Sequence, residues 1–382
     1  MSSAHTSRQL DIFRGFAAIL MVLNHAGFQW LAPLDAMTGI DGIAVFLGSA
    51  APALFFFATG VGMGLSRRST VDWAGLGRKV LLLLIADLFL SWSVHRWIGL
   101  DFFAFCAISM LAVALVTATR RPVVTAAIAV AACLLVRYAF VSRLQPLAGD
   151  YPVVAFVSGI DGVADVSYPL SPWLVFPLAG FILGRLSARR EGAAPRGCVA
   201  LLAAATGGMA WWMDSRGAVM HRWNTVSVAY FLFAIAFVGA VWLVADALAA
   251  SGSRLVSALQ TRGPASLLIV PVHYALIGVA AAVFPPPWSA VAWLPAALAL
   301  CTVALASSKW IATCLRRWAE SPRVSRGLAL ALPAFAAAAA FCVLAAPPLV
   351  CLLVACLGQV LVAANLARPD TAVTRPGTGR TL

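Results

Sequence analysis

Twelve apolar runs, each about 20 residues long and so able to cross roughly 30 Å of hydrocarbon, are strung along a chain of 382 residues. They cover 10–31, 43–65, 77–97, 100–118, 122–141, 168–188, 197–213, 226–248, 264–284, 288–307, 327–345 and 347–366. Hydrocarbon offers no water to unpaired backbone N–H and C=O groups, so a run of this length must close its own hydrogen bonds as a helix. The fold expected is all-α: a polytopic integral membrane bundle of about twelve transmembrane helices. Composition agrees, with 62% hydrophobic residues against about 45–50% in soluble proteins.

The formal net charge is +13. On a soluble domain that excess would suggest nucleic acid. Here the basic residues sit in short clusters between apolar runs, and orientation in a bilayer explains them without a nucleic-acid partner. With the N-terminus in the cytoplasm, all 27 Lys and Arg fall on the inner side except Arg96, Arg137, Arg143, Arg216 and Arg222. Both termini are then cytoplasmic, and the setting is a bacterial-type inner membrane. The first run ends on no small-x-small cleavage site, so it reads as a retained helix. We divide the chain into a core of about ten helices (1–326), a C-terminal helix pair (327–366) and a disordered cytoplasmic tail (367–382). A homodimer is compatible with this organisation.

Eight cysteines lie mostly inside apolar runs and form no CxxC pair. That argues against a disulfide framework, a zinc site or an iron–sulfur cluster, and no metal is expected.

Polar residues inside the apolar runs carry the functional signal, because ionisable groups are costly there. In the first run, "RGFAAILMVLNHAG", Arg14 and His25 are eleven residues apart. At 100° per residue they differ by about 20° in direction, so Asp11, Arg14, Ala18, Met21 and His25 share one stripe. Arg14 and His25 are about 16 Å apart along the axis. Asp11 and Arg14 make a plausible ion pair at the inner boundary, and the stripe suits a lined passage. Read singly, Arg14 is equally a snorkelling helix-start residue, and His25 a buried histidine bonded to a carbonyl. Asp87 lies deep in "LLLLIADLFLSW" and needs a partner, for which Arg14 or Arg137 would serve. His273 lies mid-run in "SLLIVPVHYALIG", with Ser266 facing the same way two turns earlier; Pro271 should free a backbone carbonyl there. GVGMG, at 60–64, lacks the Lys-Ser/Thr of a phosphate loop and reads as close helix packing.

The opening "RQLDIFRGFAAILMVLNHAG" resembles that of the transmembrane acyltransferases of acyltransferase family 3, through Arg8, Asp11, Arg14, Gly15 and His25. "APALFFFATGVGMGLS" resembles the second-helix box that this family shares with heparan-α-glucosaminide acetyltransferase relatives. "SYPLSPWLVFPLAGFILGR" and "GPASLLIVPVHY" are similar to boxes of the latter. The resemblance implies acyl transfer from cytoplasmic acyl-CoA, most simply acetyl-CoA, to a hydroxyl or amine of a sugar or glycoconjugate at the outer face. His25 would be the catalytic base, with Arg14 and Asp11 beside it in the motif and Asn24, Asp41 or Asp35 to orient it. Arg67, Arg68, Arg78 and Lys79 would hold the cofactor's phosphates, and Tyr168, Ser266, His273 or Asp87 would steady the substrate or the thioester oxygen. The family 3 Arg-x-x-Arg after the second helix is not cleanly present. The first outer loop, where the heparan relatives place their catalytic histidine, reads "LAPLDAMTGIDG" here. The other readings of the same polar groups are a proton-coupled transporter or lipid-linked-sugar flippase, and a relative that has lost catalysis.

The orientation predicts that a cysteine introduced at Ser69 labels with a membrane-impermeant maleimide only from the cytoplasmic side. Labelling from the outside would invert the topology.

Overall fold

A computed structural model describes residues 3–31, 40–66, 70–94, 96, 99–148, 152–158, 167–189, 196–217, 226–251, 253–286, 288–319 and 322–367. In chain order the helices are α1 (Ser3–Trp30), α2 (Ile40–Gly48), α3 (Ala51–Leu65), α4 (Trp73–Ser93), α5 (Phe102–Thr117) and α6 (Pro122–Leu135). A π-helical turn, Val136–Phe140, carries α6 into α7 (Val141–Ala148), followed by α8 (Pro152–Ser158), α9 (Leu170–Trp173) and α10 (Val175–Arg189). Then come α11 (Arg196–Ser215), α12 (Val228–Ala250), α13 (Arg254–Leu259) and α14 (Pro264–Val283). The last three are α15 (Ala290–Ala319), α16 (Pro322–Ala345) and α17 (Pro348–Leu366).

Local sequence explains where several begin. Proline opens α3, α6, α14 and α17, where a missing N–H costs nothing. Asp72, Asp101 and Ser227 cap α4, α5 and α12 by accepting from early backbone amides.

All twelve expected spans fall on helices. Among the described residues eight helices are long and apolar enough to cross a membrane: His5–Trp30, Gly42–Leu65, Pro122–Leu144, Leu170–Ala188, Val228–Ala250, Ala265–Val283, Val291–Trp318 and Pro348–Leu366. Phe102–Thr117 and Leu330–Ala345 are apolar but shorter. The other two spans lie on α4, which carries Arg78, Lys79 and Asp87, and on α11. The protein is an all-helical integral membrane protein.

At the centre stands α1, which touches α2, α3, α12, α13, α14 and α15. Ile12, Phe13, Ala17, Ala18, Val22 and Ala26 on it have no solvent exposure. The run Pro122–Leu144 is the opposite case, almost wholly on the outside of the bundle. The final helix, α17, is built into the core between α4 and α14, with Gly358 set against the ring of Phe89. One end of the bundle is laced by polar clamps. Asp246 of α12 meets His5 at 3.0 Å and Arg196 at 2.5 Å. Arg8 donates to the Ser251 carbonyl, and Arg185 of α10 to the Ser66 carbonyl after α3.

Helix α3 crosses α10 with backbone close to backbone. Hydrocarbon gives two apolar helices no hydrophobic reason to associate, so contact depends on how near their backbones can come. Each helix offers a Gly-x-x-x-Gly: Gly60 and Gly64 on α3, Gly180 and Gly184 on α10. A Cβ on Gly60 would lie 1.9 Å from the Pro177 carbonyl oxygen, and one on Gly180 2.2 Å from that of Phe57. These contacts are with backbone, which cannot swing aside. The GVGMG stretch is therefore a packing seam. Gly60→Val or Gly180→Val should cost at least about 1–3 kcal/mol by overpacking. Fluorescence-detected gel filtration of the detergent extract should show loss of the monodisperse peak, and an unchanged peak and melting temperature would refute the seam.

Candidate active site

At the end of the bundle opposite the polar clamps lies a cavity of about 370 Å³, within the size range of small-molecule sites. It opens where α1 ends, α3 begins, α4 ends and α5 begins. Its polar lining is Asn24, His25, Ser49, Arg96, Asp101, Ser167, Tyr168 and Tyr274, set among Met21, Phe28, Leu90, Phe102 and Val270. Polar groups converging inside an aromatic and aliphatic wall are the usual make-up of a ligand site.

His25 lines it from α1. Nδ1 of His25 lies 2.7 Å from Nε2 of His273, a residue of α14 with no solvent exposure. The other ring nitrogen of His273, Nδ1, lies 2.6 Å from the Ile269 carbonyl oxygen one turn earlier. On the cavity side, the Tyr274 hydroxyl is 3.4 Å from Nε2 of His25. The rings of His25 and His273 are nearly parallel, 12° apart with centroids at 5.0 Å, and the Tyr274 ring lies 4.8 Å from that of His25. Two histidines 248 residues apart in sequence thus form one unit. Pro271 leaves α14 unbroken. The carbonyl it deprives of an N–H is that of Leu267, four residues back, whereas the His273 ring uses Ile269.

The stripe on α1 is interior along its length. Its two halves have different surroundings. Met21 and His25 line the cavity, whereas Ala18 is sealed by neighbours. Arg14 pairs with Asp11 at 3.4 Å, and Asp11 also accepts from Arg262 at 2.9 Å. Asp11 therefore ties α1 to the turn before α14, and both Asp11 and Arg14 lie outside the cavity lining.

The other candidates separate in the same way. Asn24 lines the cavity and donates to the Val45 carbonyl at 2.9 Å, which fixes α2 against α1. Tyr168 lines it too, wedged edge-on between Phe56 and Trp173. Ser266 donates to the Gly263 carbonyl at 2.7 Å and is occupied in the first turn of its own helix. Asp87 pairs with neither Arg14 nor Arg137. Its carboxylate accepts from the backbone N–H groups of Asp101, Phe103 and Ala104, each at 3.0 Å. The positive end of α5 supplies the partner that sequence reasoning sought in an arginine. Arg78 and Lys79 lie half-buried in the first turns of α4, away from the cavity lining. Arg67, Arg68, Asp35 and the side chain of Asp41 lie outside the described residues.

Sequence reasoning passed over Tyr274, Arg96, Asp101, Ser49 and Ser167. Asp101 had a visible signal, an aspartate at the N-cap position just before an apolar run. Tyr274 adjoins a residue already singled out.

The model of one protein family, heparan-alpha-glucosaminide N-acetyltransferase, catalytic, matches residues 7–211, more than half of the chain. The chain belongs to this family. It is a transmembrane acetyltransferase relative of heparan-alpha-glucosaminide N-acetyltransferase. No curated protein matches it, and neither does any solved structure. His25, Arg96, Asp101 and Tyr168 lie inside the matched stretch, and His273 and Tyr274 beyond it. Among the described residues no cluster of His, Cys, Asp or Glu could hold a metal ion.

The capping role of Asp87 predicts that Asp87→Ala strands buried amide donors at the start of α5, at about 1–3 kcal/mol for each one left unsatisfied. Thermal unfolding followed by tryptophan fluorescence should show a midpoint lower by several degrees. Asp87→Asn, which keeps one acceptor oxygen, should lose less. An unchanged midpoint in Asp87→Ala would remove the cap.

Proposed function

We propose that this acetyltransferase carries an acetyl group from cytoplasmic acetyl-CoA to a hydroxyl or amine of a sugar or other envelope or secondary-metabolite acceptor at the outer face of a bacterial-type inner membrane. The observation that carries the reading is a histidine on the central helix, held from behind by His273 and facing a cavity sized for a small acceptor.

A hydroxyl is a poor nucleophile at neutral pH. Nε2 of His25 takes its proton as the oxygen attacks the carbonyl carbon of the thioester. The carbon–sulfur bond breaks, and the departing sulfur of CoA receives that proton back from the imidazolium. The Tyr274 hydroxyl, on the same side of His25, is placed to donate to the oxyanion. Arg96, Asp101 and Ser167 at the rim supply hydrogen bonds for a polyhydroxylated acceptor, and Tyr168 and Phe102 an aromatic wall. The donor's phosphates remain at the basic end near Arg78 and Lys79. Because Ala18 is sealed, the acyl arm reaches His25 only if the neighbours of α1 part there.

A proton-coupled transporter would need His25, His273 and Asp87 as a relay. His273 ends on a carbonyl oxygen, which cannot pass a proton onward, and Asp87 is spent on the amides of α5. Both facts weigh against that alternative.

The purified protein in detergent should release CoA thiol from acetyl-CoA when glucosamine or a related sugar is added. His25→Ala should lower the rate by about 10²–10⁴-fold, the usual worth of a positioned general base. A protein that never consumes acetyl-CoA, yet drives sugar uptake into proteoliposomes, would defeat this reading.

A further inference from the structure

We propose that His273 is a positioning residue for this reaction, holding His25 in the tautomer whose bare Nε2 faces the cavity. The proposal rests on the reading of His25 as the base.

The hydrogen-bond network assigns each proton in turn. A carbonyl oxygen only accepts, so the 2.6 Å contact with Ile269 places the proton of His273 on Nδ1. A neutral imidazole carries a single N–H, so Nε2 of His273 is an acceptor. A second proton would put a net charge at a site without solvent exposure, which is costly. The 2.7 Å contact then requires Nδ1 of His25 to be the donor. By the same count Nε2 of His25 is bare, on the side where Tyr274 and the cavity lie. An unrestrained neutral histidine in water prefers the opposite tautomer, with the proton on Nε2. In that form His25 would offer the acceptor a donor where catalysis needs a base.

The pair does what the carboxylate of a catalytic triad does for its histidine, orienting and selecting the tautomer, but with an uncharged partner. A charged partner would also favour the imidazolium; His273 contributes orientation and one hydrogen bond. The backbone supplies the reference point: the Ile269 carbonyl sets His273, and His273 sets His25. This explains why a fully buried histidine outside the cavity lining sits behind the catalytic one.

Two measurements decide it, and the first reads the tautomer in the unaltered protein. In protein labelled with ¹⁵N-histidine, the His25 resonances, identified by their loss in His25→Gln, should show a protonated Nδ1 and an unprotonated Nε2. A protonated Nε2 in the resting protein would overturn the proposal, whereas the base assignment is decided separately by the activity of His25→Gln. The second compares His273→Phe, which fills the space without an acceptor, with His273→Gln, whose amide oxygen can accept from His25. His273→Phe should lower kcat by about 10²-fold or more, within the 10⁴-fold that loss of the orienting group costs a triad, with KM little changed. His273→Gln should recover most of that loss. Full kcat in a well-folded His273→Phe, or equal losses in both variants, would reject the positioning role. Retained acetyl transfer in His25→Gln would instead sink the base assignment, whatever tautomer the spectra report.

Discussion

A polar group buried in hydrocarbon must find its partner within the protein, and this structure is arranged around meeting that demand. Asp87 is answered by three amides of α5, Asp11 by Arg14 and Arg262, and Asp246 by His5 and Arg196. The bonds of Asp11 to Arg262 and of Asp246 to His5 join elements that are distant in sequence, whereas Asp87 links two consecutive helices. The same bonds that discharge the cost of a buried polar atom therefore fix which helices are neighbours. His25 and His273 follow the rule as well, and there the satisfied pair borders the cavity.

Close contact between apolar helices is the second requirement. Where α3 crosses α10, glycines on both sides bring backbone against backbone, and α1 fills the centre largely with small or well-packed residues. The helix that carries His25 is thereby held on several sides by its neighbours.

Much of this was legible in the residues. The apolar runs announced the helices, and their polar exceptions announced His25, His273 and Asp87. The stripe arithmetic on α1 put Asp11, Arg14 and His25 on one interior face, where they are found. What the sequence withheld was pairing. Two histidines 248 residues apart carry no mark of their contact, because the contact is set by how α14 docks on α1. Asp87 was recognised as needing a counterpart, but a cation was sought. The short connection from α4 to α5 brings a helix N-terminus to the carboxylate, and amide dipoles are invisible in a list of side chains. Arg96 and Asp101 were lost for a similar reason, since a loop residue becomes part of a site only through the helices that converge around it.

The separation of His25 from His273 also has a consequence for biosynthesis. The central helix leaves the ribosome before α14, carrying an imidazole whose partner has not yet been made. At about 5–20 residues per second, α14 follows on the order of 10–50 s later. Until then α1 must wait in or beside the bilayer with His25 bonded to water, lipid headgroups or a provisional neighbour. Docking of α14 is thus the event that gives His25 its partner, and the pair is complete only once the second half of the chain has been threaded into the membrane.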